Sequence, residues 1–173
     1  IRMGMIGGYK QTELGVIPED WDVSDLNSLG DYPLPAIKAG PFGSSLKKDS
    51  YVKSGFKVYG QEQVIRGDIN YGDYFISQKK FRELVSCSVR PGDVLLSLVG
   101  TLGKLLEIPI DAPKGVINPR LIRFSFARSR ISPCFFRFLF ESKKIQSLLA
   151  NKAQGGTMGV LNAEILRNFK IIV

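Results

Sequence analysis

A mixed α/β (α+β) fold is what this sequence predicts: a twisted, mostly antiparallel, irregular sheet with several helices, the longest after Ser132. Three observations carry that prediction. Alternation at Phe56-Lys57-Val58-Tyr59 marks a half-buried strand. The nearly unbroken apolar run Val94-Leu95-Leu96-Ser97-Leu98-Val99 marks a fully buried one. Ser132-Pro133 joins an N-capping hydroxyl to proline at the first helical position, a strong helix start. At 173 residues the chain suits one domain with a proper core and is short for two.

Taken in order, residues 1–8 contain three glycines and read as a disordered arm or a cloning remnant, leaving residues 9–173 as a single domain. Gly15 and Pro18 forbid a continuous helix over residues 9–21, so this stretch reads as an extended arm with Leu14, Ile17 and Trp21 as anchors. A short strand or turn follows over residues 23–29. Gly40-Pro41-Phe42-Gly43-Ser44-Ser45-Leu46 then packs two glycines and a proline into four residues, the composition of a tight, defined loop. Phe42 is its expected apolar anchor, and Ser44 and Ser45 offer donors beside Lys47 and Lys48. Alone, the stretch reads better as a plain surface turn.

Beyond the strand at residues 56–59, residues 61–65 read as strand or bulged strand, closed by a turn at Arg66-Gly67-Asp68. Asn70-Tyr71-Gly72-Asp73-Tyr74 is a polar, aromatic loop. Ser77 can cap a helix over residues 78–85 with Phe81, Leu84 and Val85 inward and Lys79, Lys80 and Arg82 outward. Those three charges suit a solvated helix face as well as a ligand-facing one. Arg90-Pro91-Gly92-Asp93 turns the chain into the strand at residues 94–99, and residues 105–110 return from a hairpin tipped by Thr101 and Lys104.

After a turn at Pro113-Lys114-Gly115, the next strand sets Arg120, Ile122, Phe124 and Phe126 on one face and Leu121, Arg123 and Ser125 on the other. The helix opened by Ser132 extends to about Ala150, burying Phe135, Phe138, Leu139 and Leu149 and exposing Arg137, Lys143 and Lys144. A glycine-rich connector at residues 154–159, a short helix capped by Asn162 and a closing strand at residues 169–173 complete the chain.

Histidine is absent, which removes Ser-His and Cys-His nucleophiles and histidine-bearing zinc sites. Cys87 and Cys134 form neither a metal pair nor a disulfide framework, so a reducing, cytoplasmic setting is the expectation, with no membrane contact. Gly103-Lys104 resembles the end of a nucleotide-binding loop, but Leu98 and Leu105 occupy the positions that need glycine and Ser/Thr. No metal, no cofactor and no catalytic role are expected. Net charge is +8 and unevenly spread: residues 114–144 hold eight bases and one acid, which one face of a fold could collect.

Three motifs occur in order: Leu14-Gly15-Val16-Ile17-Pro18 with Trp21, then Gly40-Pro41-Phe42-Gly43-Ser44, then Gly92-Asp93 through Ser97 to Gly100-Thr101-Leu102-Gly103. In that order they resemble the target recognition domain of the specificity (S) subunit of Type I restriction–modification systems, and the resemblance covers residues 9–173. It implies sequence-specific binding of double-stranded DNA, one half of a split target per domain. It also implies two partners: a modification (methyltransferase) subunit using S-adenosylmethionine and, through it, a restriction subunit. Two departures stand out. The Pro-Pro stretch and long dimerisation helix that follow the last strand in the family are absent, as is a second recognition domain, so the chain alone is expected to be monomeric. Asn118-Pro119-Arg120 replaces a frequent Asn-Gln pair, and no role is carried onto Asn118.

Within this reading Lys47, Lys48, Lys79, Lys80 and Lys104 are the candidate phosphate contacts. Ser44, Ser45, Arg66, Asn70, Tyr71, Tyr74, Gln78, Arg82 and Thr101 are the candidate base or loop contacts, polar side chains on irregular segments able to enter a groove. The alternatives are the recognition domain of a fused restriction–methylation enzyme and an RNA-binding or structural module.

Overall fold

The computed structural model describes residues 7–31, 35–98, 103–154 and 162–173. Its strands are β1 Tyr9–Thr12, β2 Gly15–Pro18, β3 Val23–Asp25, β4 Ile37–Ala39, β5 Tyr51–Val52, β6 Phe56–Tyr59, β7 Phe75–Ile76, β8 Val94–Ser97, β9 Leu105–Glu107, β10 Gly115–Ile117, β11 Leu121–Phe124 and β12 Lys170–Ile172. Its helices are α1 Gln61–Arg66, α2 Gln78–Glu83, α3 Pro133–Phe140, α4 Lys143–Gln154 and α5 Ala163–Arg167. The mixed α+β class and the antiparallel bias hold: only β10 and β6 run parallel among the described pairs. The sheet is not continuous. It divides into two four-stranded sheets, β10-β6-β7-β5 and β4-β11-β8-β9, and two two-stranded ribbons, β1-β2 and β12-β3.

The antiparallel sheet β4-β11-β8-β9 is a wall between two cores. Its register pairs Ile122 with Leu96 and Phe124 with Val94, and all four point to the first core, built with Leu26, Leu29, Phe136, Phe140, Ile145, Leu149, Leu166 and Phe169. Leu95, Leu106 and Leu121 point the other way, into a core shared with Val58, Tyr59, Val64, Ile76 and Val116. Both faces of β8 and β11 are therefore buried, so the alternation read into residues 120–126 does not separate solvent from core.

Several expectations are corrected. Residues 9–18 form a hairpin, not an extended arm: Thr12 Oγ1 donates to Gly15 O (2.7 Å) and accepts from Leu14 N (3.2 Å). Ile17 is buried as expected, but Trp21 is exposed. Residues 61–66 are helical because Gln63 Oε1 accepts from Gly60 N (2.9 Å) at one end and Gly67 closes the other at φ +70°, a left-handed cap that favours glycine. Helix α2, capped by Ser77, ends at Glu83, short of residue 85; beyond it Leu84 is buried but Val85 is exposed.

The helix after Ser132 breaks in two. Ser142 starts α4 afresh by accepting from Ile145 N (3.4 Å), and Gln146 Nε2 satisfies the terminal Phe140 carbonyl (2.7 Å). The residues facing the core are Phe136 and Phe140, followed by Ile145 and Leu149; Phe135 and Phe138 are exposed. Arg137 is only partly exposed, with its Nε buried and without a hydrogen-bond partner. Phe42 is 87% exposed, and Leu46 anchors its loop instead. Among the described residues no helix is long and apolar enough to cross a membrane, and no group of three metal-ligating side chains forms.

Candidate nucleic-acid interface

One end of the antiparallel sheet gathers the motif-bearing loops. Leu121 O, at the start of β11, accepts from Gly40 N (3.0 Å), and Arg120 O accepts from Leu98 N (3.0 Å). Asn118 N donates to Tyr59 O (2.8 Å) and Asn118 Nδ2 reaches Gln61 Oε1 (3.4 Å), tying the same turn to the start of α1. Asn118 Oδ1 in turn accepts from Arg120 N (2.9 Å). The Asn118-Pro119-Arg120 turn is thus the hub between the glycine-proline loop, the end of β8 and α1. Gly40 is required there: a Cβ at that position would lie 1.9 Å from Asn118 O.

Around this hub opens a groove of about 440 Å³ whose lining includes Lys48, Tyr51, Gln61, Tyr74, Asn118 and Arg120. Lys48 and Arg120 supply positive charge, Glu62 on the rim a single negative one. The Tyr51 and Tyr74 rings lie 5.5 Å apart. Burial, and then the neighbouring Tyr74, raise the Tyr51 phenol above its ordinary pKa, so it stays a neutral donor and acceptor.

Beside the groove, Arg66 stacks over the Tyr71 ring with 4.2 Å from its guanidinium carbon to the ring centre. The two therefore act as one unit. Asn70 is exposed on the same loop, with its backbone N–H donating to Asp68 Oδ1 (2.9 Å). Ser44 and Ser45 sit in a 3-10 turn next to the groove-lining Gly43 and Leu46.

The remaining candidates are elsewhere. Gln78, Lys79, Lys80 and Arg82 lie on α2, which packs through Phe81 stacked on Phe56 at 4.0 Å and does not line the groove. Lys80 is held by Glu83 (2.9 Å), whereas Lys79 and Arg82 make no ion pair among the described residues. Lys104 follows Gly103, which abuts the Gln146 side chain of α4, and Thr101 lies outside the described residues.

The basic stretch 114–144 does not collect on one face. Arg120 is at the groove, while Arg128 lines a cavity of about 330 Å³ with Arg90 and Asp93, beyond the start of β8 at the sheet's other end. Arg123 is buried between them, its Nε 3.8 Å from Asp93 Oδ2. Sequence reasoning missed Asn118, Arg120, Tyr51 and Gln61. Their common signal is proximity in space, which no local pattern displays.

The fold that assembles this groove is shared with specificity subunits of Type I restriction–modification systems. In sequence, the chain is 25% identical over 169 residues to the Type I restriction enzyme MjaVIII specificity subunit of Methanocaldococcus jannaschii, covering 94% of this chain and 38% of that protein. Among solved structures, a chain from work on complex assembly and conformational transition of the type I R-M system superposes with a TM-score of 0.61 at 16% identity, covering 91% of this chain and 35% of that one. The HsdS subunit from Thermoanaerobacter tengcongensis gives 0.54 at 18% identity, over 91% and 34%. The S subunit from M. genitalium gives 0.54 at 14% identity, over 88% and 34%. No family model matches the chain. The chain therefore spans little more than a third of the length of these relatives, and the resemblance drawn from its three motifs is supported in both sequence and fold.

Proposed function

We propose that this chain is a non-catalytic target recognition domain over residues 9–173 that reads one half of a bipartite duplex DNA target for a Type I restriction–modification complex. Methylation and cleavage reside in partner subunits, and the chain itself holds no cofactor. The observation that carries this reading is the convergence of the glycine-proline loop, the end of β8 and the Asn118 turn on one exposed polar, aromatic groove with Lys48 and Arg120 at its edge. Phosphate contacts from lysines would fix register, and groove and loop side chains would read base edges.

Selection from a randomised duplex pool, followed by titration of the chosen duplex against salt, tests it. With Lys80 occupied by Glu83 and Lys79 and Lys104 away from the groove, Lys48, its neighbour Lys47 and Arg120 are the contacts at its edge, and a log-log salt slope of about −3 is expected. Lys48→Gln should flatten that slope by about one without changing the preferred sequence. Failure to bind any duplex at low salt, or a salt-insensitive complex, overturns the proposal.

A further inference from the structure

Beneath the loop that carries Asn70 and Tyr71 lies a lysine that no motif singles out. Lys57 is 4% exposed, and among the described residues it makes no ion pair. Its ammonium donates instead to Asn70 O (2.8 Å) and Gly72 O (2.6 Å) and lies 5.6 Å from the centre of the Phe75 ring. The carbonyl between them, Tyr71 O, accepts from the Nε2 of buried Gln63 (2.7 Å). Three successive carbonyls are thereby held from below by two buried side chains. A buried cation with only carbonyl partners is costly to keep, and an exposed loop could satisfy the same carbonyls with water.

We infer that Lys57 and Gln63 are positioning residues for DNA discrimination: they hold the backbone of residues 70–72 inward so that the Asn70 and Tyr71 side chains are presented in one fixed geometry. The inference rests on the DNA-reading proposal above. It adds the source of that loop's order, so that little conformational freedom remains to be lost on binding. Stability is not its main product, since Lys57→Met removes a buried charge together with its hydrogen bonds.

Lys57→Met and Gln63→Glu are the test variants. The second keeps an acceptor for Gly60 N and, as a carboxylate, turns the donor to Tyr71 O into a second acceptor that repels that carbonyl. Amide exchange at residues 69–74 in the free protein is expected to rise about tenfold in either variant while exchange in β8 and β11 stays unchanged. On the duplex selected by the unaltered chain, the ratio of affinities for that duplex and for single-base variants should fall about tenfold, with the salt slope unchanged. Unchanged loop exchange, or intact discrimination in a folded variant, overturns the inference. Should Lys57→Met not fold, Gln63→Glu decides alone. If the unaltered chain selects no duplex, the DNA reading falls and the positioning of DNA contacts falls with it, even where loop exchange rises.

Discussion

The two sides of the antiparallel sheet are built on different chemistry. The first side is dry: Phe124 meets Phe136 and Phe140 with ring centres 4.9 and 5.9 Å away, and aliphatic residues from α4, α5 and β12 close the cluster. On the second side lie all the buried polar and charged side chains found among the described residues: Lys57, Gln63, Asp93, Ser97, Arg123 and Ser125. The parity of β8 and β11 explains the segregation, since Asp93, Ser97, Arg123 and Ser125 share the face of Leu95 and Leu121. The apolar side needs only volume to be filled. The polar side fixes loops in place, and the groove opens there.

That contrast is broken most severely from the dry side. Phe136 is fully buried and also touches Phe126 edge-on at 4.7 Å, so Phe136→Ala should cost about 3–5 kcal/mol in a urea titration. A loss below about 1 kcal/mol would mean that the first core is not the scaffold.

On the polar side the largest effect should come from Arg123, and it should depend on pH. Burial raises the Asp93 carboxyl above the ordinary aspartate range, although the Ser125 hydroxyl (2.7 Å), Arg90 N–H (2.7 Å) and Arg123 oppose it. Burial likewise lowers the Arg123 pKa, with Asp93 opposing. Desolvation outweighs a pairing as long as 3.8 Å. Arg123→Met leaves Asp93 without its cation and raises its carboxyl further. A carboxyl raised in the folded state favours folding below its unfolded value, and that contribution is lost as pH climbs through the folded one. The variant also loses the Arg123 Nη1 donation to Ser88 O at every pH, so its deficit should be smaller near pH 4 and grow to about 3 kcal/mol at pH 7, read from urea titrations across that range. A deficit independent of pH would assign the effect to lost packing alone.

How much of this was legible beforehand follows the same division. Local signals were sound wherever one residue decides the outcome: Ser77, Ser132 and Asn162 each cap the helix they were expected to cap, accepting from Lys80, Phe135 and Ile165 N. The run at 94–99 gave β8, whose described part is buried on both faces. Periodicity failed where a break is set by a single cap, as at Ser142, and over residues 61–65, where Gln63 and Gly67 close a helix although Val64 and Ile65 are β-branched. Strand β10 is three residues long, too short to show a period, and its parallel partner β6 is far away in sequence. The groove was half legible. Its loops were named, but the hub at Asn118 is made by hydrogen bonds from stretches distant in sequence.

Tyr59 offers a smaller test on the polar side. Burial pushes its phenol up to about 12 from 10.0, and its hydroxyl donates to Pro113 O. A phenol raised in the folded state stabilises fully below its unfolded pKa and loses that contribution as pH rises from 10.0 toward about 12. Native stability should therefore fall by on the order of 2 kcal/mol across that interval. Tyr59→Phe should lack this fall and begin about 1 kcal/mol lower at neutral pH, because Pro113 O loses its donor. Parallel alkaline profiles for the two proteins would detach the transition from Tyr59.

The smallest effect is expected at Phe138, and its smallness is informative. The spacing of apolar residues after Ser132 nominated Phe138 for the core, yet it is 82% exposed, two residues from the fully buried Phe136. Its aromatic ring already meets water in the folded chain, so replacing it forfeits little transfer free energy. Phe138→Ser should therefore lower the unfolding free energy from a urea titration by less than about 0.5 kcal/mol, against several for Phe136→Ala. A loss comparable to that at Phe136 would mean that α3 is rotated from the register described, turning Phe135 and Phe138 inward and dissolving the aromatic cluster on which the dry side is built.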